Sequence, residues 1–328
     1  MRTAGHNRIL FGIPVHTGVT ETVARVAEVR LKFRFGDWCL HVHRLKGTVI
    51  REQFSTAAPR ESFPDVSPES GMDVLFDPSV PVAKPLPVLH FGAASIRYVA
   101  AQYSRYYIDL DADFPTFLAR LSRHRRHELR RKLRGFAGSS DRAPVFREFR
   151  RAPEMDEFYR IARQISLRSY QAKFDAGLPD DMPFVDELRA RAESDGVRGF
   201  ILFQGERPVA YLLCFGDGDC LSGVHCGYDP GLRKYSPGEV LLYRVLEHLF
   251  AERRFRVFDF GRGEQAYKSV FATGSIFCAD IYYFRRTAFN LCLIGVHLAL
   301  HGISGAVAGV LEALGLKRRL KRLIRHQP

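Results

Sequence analysis

The sequence predicts an α+β chain with a mixed α/β pattern: a mixed, mostly antiparallel central sheet flanked by helices. Three observations predict it. Between Pro144 and Arg286 the apolar periodicity runs strand, helix, helix, three strands, helix, strand, helix, strand, an order that places helices on both faces of one sheet. Short turns at Gly205-Glu206 and Asp217-Gly218 join the three consecutive strands as antiparallel neighbours. With 46% hydrophobic residues in 328, the chain has ample material for a core. Composition then divides it into a β-rich N-terminal lobe (1-110), a basic helix (111-140), the principal domain (141-286) and a tail of apolar helices ending in basic residues (287-328).

Residues 1-110 read as short strands and loops. "DWCLHVHRL" and "LHFGAASIRYVAAQYSRYYIDL" have strand character, and the proline- and serine-rich "TAAPRESFPDVSPESG" is a loop. His41 and His43 share one strand face, but no Cys, Asp or Glu stands at ligand spacing, so they are read as half-exposed strand histidines and no metal is expected. The six cysteines form no CxxC pair and are expected to be buried free thiols. "MRTAGHNRILFGIPVHTG" lacks a sustained apolar run with a small-residue cleavage site, which makes the cytoplasm the expected location.

From Phe114 the period becomes helical. "FPTFLARLSRHRRHELRRKLRGFAG" sets Phe117, Leu121, Leu129 and Leu133 near one face and ends at Gly135 to Gly138. The net charge of +13 is local: Arg120 to Arg134 and Arg285 to Pro328 each carry a net +7, and the remainder is close to neutral. That pattern points to docking of anions at particular places. A basic helix without interleaved aromatics argues against nucleic acid as the main partner.

The stretch "YDPGLRKYSPGEVLL", Tyr228 to Leu242, has the form of an anion cradle. Ser236 stands at an N-cap position, Pro237 suits the first helical turn, and Gly238 removes the side chain that would keep a ligand from the amides. The helix dipole, with Arg233 and Lys234 beside it, favours a phosphate or pyrophosphate; a plain helix cap is the simpler alternative. The tail "AFNLCLIGVHLALHGISGAVAGVLEALGLKRRLKRLIRHQP" is apolar and then basic. Its "HGISG" is expected to break it into two helices packed on the domain. An anionic membrane surface, met through Leu316, Leu320, Leu323 and Ile324 among basic residues, is the second reading, and a membrane span the third.

Pro144 to Arg286 resembles the GNAT acyltransferases, whose pyrophosphate loop has the pattern Q/R-x-x-G-x-G/A. Here the frame is Arg233-Lys234-Tyr235-Ser236-Pro237-Gly238, in which Ser236 replaces the first glycine. "LSRHRRHELRRKLR", "SPGEVLL" and "FDFGRGEQAYKSVFA" together resemble the BioF2-like or CelD-like acetyltransferases, relatives of the Fem peptidyltransferases, over Tyr107 to Phe284. The first hundred residues match that group poorly and read as a divergent lobe.

The resemblance implies that the amides of Ser236 to Glu239, including Gly238, take the pyrophosphate of acetyl-CoA or another acyl-CoA. It also implies that a bulged strand at Val224, His225 and Cys226 offers an amide to the thioester carbonyl. Tyr267 matches the position that protonates the leaving thiolate, or is a packed aromatic. Lys268, in a Y-K context, contacts a phosphate or the reacting centre, or is a solvated lysine. The base is Glu264, His225 or Asp259, in that order; Asp259 alternatively holds the glycine turn. The expected activity is acyl transfer from coenzyme A to an amine of a sugar, peptide, or envelope or polysaccharide precursor in a ternary complex. The alternatives are a Fem-like transferase taking its residue from aminoacyl-tRNA docked on Arg123 to Arg134, and a non-catalytic adaptor of a membrane-associated polysaccharide assembly system.

Overall fold

The computed structural model describes residues 13–16, 21–36, 38–50, 54–56, 58–139, 143–169, 177–263 and 265–313. In chain order the strands are β1 (Ile13–His16), β2 (Glu21–Phe35), β3 (Trp38–Ile50), β4 (Val74–Pro81), β5 (Leu89–Phe91), β6 (Ser95–Asp109), β7 (Pro144–Phe149), β8 (Val197–Gln204), β9 (Arg207–Asp217), β10 (Cys220–Tyr228), β11 (Val257–Asp259) and β12 (Gly274–Arg285). The helices are α1 (Phe114–Arg120), α2 (Arg123–Ala137), α3 (Ala152–Arg168), α4 (Met182–Glu193), α5 (Pro237–Glu252), α6 (Ala266–Phe271) and α7 (Ala288–Ala313). They form two compact units, residues 1–104 with 276–328, and residues 105–275.

In the first unit, β2 and β3 make a long antiparallel hairpin, paired from Ala24↔Ile50 to Phe35↔Trp38. The period of two along β2 buries Val29, Leu31 and Phe33 against Leu45, Tyr98, Phe284 and Ile294. β4 runs parallel to β3 and antiparallel to β12. The strands are thus longer than the short pieces expected, because the alternation in β2 continues for 15 residues without a breaker. Cys214, Cys220 and Cys278 are buried as expected, but Cys226 and Cys292 are exposed.

The tail departs from expectation. "HGISG" does not break the chain: α7 is one helix of 26 residues passing through Gly302, Ser304 and Gly305. A helical glycine costs only about 1 kcal/mol, and tertiary anchors offset it. α7 lies on β2, with Ile294 buried and the His297 ring bonded at Nδ1 to the Tyr98 hydroxyl (2.6 Å) and at Nε2 to the Lys32 carbonyl (3.2 Å). Among the described residues it is the one helix long and apolar enough to cross a membrane. Leu316, Leu320, Leu323 and Ile324 lie outside the described residues.

In the second unit, a six-strand run is ordered β6-β11-β10-β9-β8-β7, with β10 and β11 parallel and the other pairs antiparallel. Helices cover both faces, as the order of elements in the sequence predicted. β8 shows why: its first six residues are all buried. Phe200 and Leu202 pack with Val245 and Leu249 of α5, while Val197 and Ile201 pack with Phe158 and Ile165 of α3. The single helix expected from Phe114 is two. Leu121 turns extended, and Ser122 caps α2 by accepting the Arg125 amide at 3.2 Å.

Arg198 of β8 is completely buried. Its guanidinium reaches Glu148 (3.1 Å), Asp195 (2.9 Å) and Glu252 (3.1 Å), tying β7, the α4–β8 turn and α5 to one point. Glu148, His248 and Glu252 hold their ligand atoms within 4.8 Å of one another, a donor set that metals use, yet here Arg198 supplies the positive charge. Replacing it by alanine takes from Glu148, Asp195 and Glu252 the buried cation that they share. Arg198→Ala is expected to lower the free energy of unfolding by about 3–5 kcal/mol, measured in urea melts.

Candidate functional site

The site begins where two parallel strands part. β10 pairs with β11 only at Cys220↔Val257, Leu221↔Phe258 and Ser222↔Asp259. β11 then ends, and one residue later β10 shifts register against β9 between Gly223 and His225. The extra residue is Val224, which is exposed. A bulge turns amides and side chains out of the ladder, so beyond Ser222 the β11-facing edge of β10 has no partner strand among the described residues.

The loop after β11 is held down firmly. Asp259, wholly buried, accepts Arg105 Nε at 3.0 Å and Nη2 at 2.6 Å and the Gly261 amide at 2.9 Å. Gly261 has φ +68°, and a Cβ there would stand 2.3 Å from the Gly223 carbonyl oxygen. Only glycine fits this close backbone approach. Asp259 thus holds the glycine turn through the Gly261 amide, and both of its oxygens accept from Arg105. Arg105 was missed in the sequence; its signal is a lone arginine inside the aromatic strand "SRYYIDL".

Lys268 is 3% exposed, so it is not a solvated lysine. Its ammonium donates to the carbonyls of Arg262 (2.6 Å) and Gly261 (3.3 Å). Burial lowers its pKa to about 8, opposed by the Asp259 carboxylate, which favours the charged form. Tyr267 packs edge-on to Phe260 at 6.1 Å, and burial pushes its phenol well above the usual range, so it stays protonated. His225 stands edge-on to Phe184 of α4 at 5.7 Å, and burial lowers its pKa, favouring the neutral imidazole. Glu264 lies outside the described residues.

The turn that leads into α5 differs from the expected N-cap. Ser236 has φ 54° and ψ 50°, the left-handed conformation natural to the glycine it replaces, and its side chain makes no cap hydrogen bond. The Ser236 amide donates to Arg233 O (3.1 Å) and the Glu239 amide to Ser236 O (3.0 Å), and Pro237 has no N–H. Of the four amides expected to meet an anion, Gly238 is the one left for it. A Cβ on Gly238 would meet Tyr228 at 3.6 Å, ordinary contact, so packing alone does not demand glycine. Arg233 and Lys234 are exposed beside it.

The Glu239 side chain serves another purpose. Arg125 and Lys132 of α2 each bridge Glu128 and Glu239 at 2.6–2.7 Å. These two cations hold the Glu128 carboxyl down to about 2, and they clamp the basic helix onto the start of α5. Two of its cations are thereby consumed inside the fold, while Arg123, Arg130, Arg131 and Arg134 remain exposed. Next to this clamp a cleft of about 330 Å³ is lined by Arg120, Ser122, Arg125, Phe271 and Thr273 among others.

Comparison with known proteins fits this geometry. Residues 123–269, a little under half of the chain, match the family model described as an acetyltransferase (GNAT) domain. The chain thus contains a GNAT-type acetyltransferase domain and is an acyltransferase by class. No curated protein matches it. Similar solved structures include L-PGS from Bacillus licheniformis (14% identity, TM-score 0.43, covering 70% of this chain and 73% of that one). FemX (11%, 0.41, 56% and 61%) and a GCN5-related N-acetyltransferase from Kribbella flavida (9%, 0.33, 58% and 61%) are similar in the same way. Likeness at that level carries no argument about substrate.

Asp259→Asn separates a structural carboxylate from a catalytic one. It removes the carboxylate charge that the buried Arg105 pairs with at 2.6 Å, and the expected loss is about 3–5 kcal/mol of unfolding free energy in chemical denaturation. A full-stability, inactive Asp259→Asn protein would instead mark Asp259 as the base.

Proposed function

We propose that this protein moves an acyl group from an acyl-coenzyme A to an amine of a sugar, peptide, or envelope or polysaccharide precursor, by direct attack in a ternary complex. Within the GNAT class, the motif pattern favours the BioF2-like or CelD-like group. The observation that carries the reading is the parting of β10 from β11 at Ser222↔Asp259, followed by a left-handed Ser236 that presents the Gly238 amide at the start of α5.

The pyrophosphate rests on the Gly238 amide with Arg233 and Lys234 alongside, where the helix dipole favours an anion. The pantetheine lies along the unpaired edge of β10, and the amides around Val224 and Cys226 polarise the thioester carbonyl. The acceptor nitrogen attacks that carbonyl carbon and the C–S bond breaks. His225, neutral because burial lowers its pKa, takes the proton from the nitrogen. Tyr267, kept protonated by burial, gives its proton to the departing thiolate. Lys268 holds the Gly261 and Arg262 carbonyls and lends positive charge to the developing oxyanion.

A second reading draws on the exposed Arg123, Arg130, Arg131 and Arg134 of α2: a Fem-like transferase with aminoacyl-tRNA as donor. Thermal shift separates the two. Millimolar acetyl-CoA is expected to raise the melting temperature, and Gly238→Trp to abolish the rise by filling the space before the free amide. No shift in the parent protein, together with charged-tRNA binding lost on charge reversal of those four arginines, would favour the second reading.

The pH profile tests Lys268. Its charge is present below about 8 and lost as pH rises through that value, so the rate of acyl transfer is expected to fall above about 8. Lys268→Arg keeps its charge and removes the fall, whereas Lys268→Ala lowers kcat by roughly 100-fold below about pH 8, a gap that narrows above it as the parent protein loses the same charge.

A further inference from the structure

α7 has two faces of opposite use. Asn290, Ile294 and His297 are buried on the sheet, and Ser304 accepts the Gly36 amide at 2.7 Å. Spaced by four, three and seven residues, these positions form one stripe. About a third of a turn away, Phe289, Val296, Ile303, Val307 and Val310, spaced by seven, seven, four and three residues, form a second stripe, and all five are exposed. Val296 is 60% exposed and Ile303 56%. No Asp, Glu, Lys or Arg occurs from Ala288 to Val310. A helix facing water on that side would carry charges there; this one carries none.

Two further observations say what covers the face. The Gly36–Ser304 bond sets the β2–β3 turn beside the C-terminal half of α7, and next to that turn Trp38 is 58% exposed and Leu40 59%. An exposed tryptophan suits the boundary between hydrocarbon and headgroups. Directly after the helix the sequence carries Lys317, Arg318, Arg319, Lys321, Arg322 and Arg325 with no acidic residue among them. An apolar stripe and a polybasic segment together are the two signals that stable membrane attachment takes, and the positive one selects anionic lipid.

We infer that α7 is an in-plane membrane-binding helix. Its exposed stripe enters the headgroup and acyl boundary of an anionic bilayer while its other face stays on the sheet. At 1.5 Å per residue its 26 residues are long enough to span, about 39 Å, but a spanning helix would have to leave Tyr98 and strand His297 in hydrocarbon. The inference does not depend on which donor the acyltransferase site uses.

The test is co-sedimentation of the full chain with phosphatidylcholine vesicles and with vesicles containing phosphatidylglycerol, at low and high salt. The parent protein is expected to bind the phosphatidylglycerol vesicles, less so at high salt. Val296→Asp with Ile303→Asp is expected to weaken that binding at least tenfold while leaving the melting temperature unchanged, since both side chains face outward. Binding that high salt abolishes and the double variant leaves intact would assign attachment to the basic segment alone and overturn the inference. So would a dimer that the same variant converts to monomer without any vesicle binding, or resistance of the parent protein to alkaline extraction from cell membranes, which marks a spanning helix.

Discussion

The buried pair of Arg105 and Asp259 is the constraint on which the rest of the site depends. A charge pair inside a protein is costly unless both partners are fully engaged, and here two guanidinium nitrogens and the Gly261 amide satisfy the carboxylate. The pair sits on the last residue of β11, so it ends the strand and fixes the direction of the loop that follows. Gly261 can then pass under the Gly223 carbonyl. With β11 stopped there, β10 continues alone into its bulge, and the opening between them is a consequence of the ion pair.

Charges on the helices complete the frame in the same way. Arg125 and Lys132 clamp α2 to Glu239 at the start of α5, so a carboxylate that would repel an anion at that helix end is neutralised within the fold. The positive helix end remains available through the one amide not used locally. Lys268 continues the pattern: a buried ammonium is retained because loop carbonyls and the Asp259 carboxylate offset its desolvation.

Much of this was legible in the residues. The element order from Pro144 to Arg286 reads directly from its periodicities, because β8 and α5 are apolar in patterns that admit one secondary structure each. The cradle was placed by Ser236, Pro237 and Gly238. What could not be read was which polar atoms remain free. Ser236 looked like a capping side chain and instead adopts a left-handed backbone with no side-chain cap. The partner of Asp259 could not be read either: Arg105, which binds its carboxylate, lies more than a hundred residues earlier in the chain. The continuous α7 was hidden because glycine is a local breaker signal, whereas the anchors at Tyr98, Lys32 and Gly36 come from distant strands.

By itself the sequence determined the mixed sheet, its order of elements, the turn residues and the local concentration of positive charge, since these follow from side-chain period and backbone freedom within a few residues. Tertiary structure alone decided which charges are spent inside the fold and which face a ligand, where β10 and β11 part, and that α7 keeps an unpartnered apolar face. Each of those depends on pairs of atoms far apart in the chain, whose desolvation cost or reward exists only once the fold has brought them together.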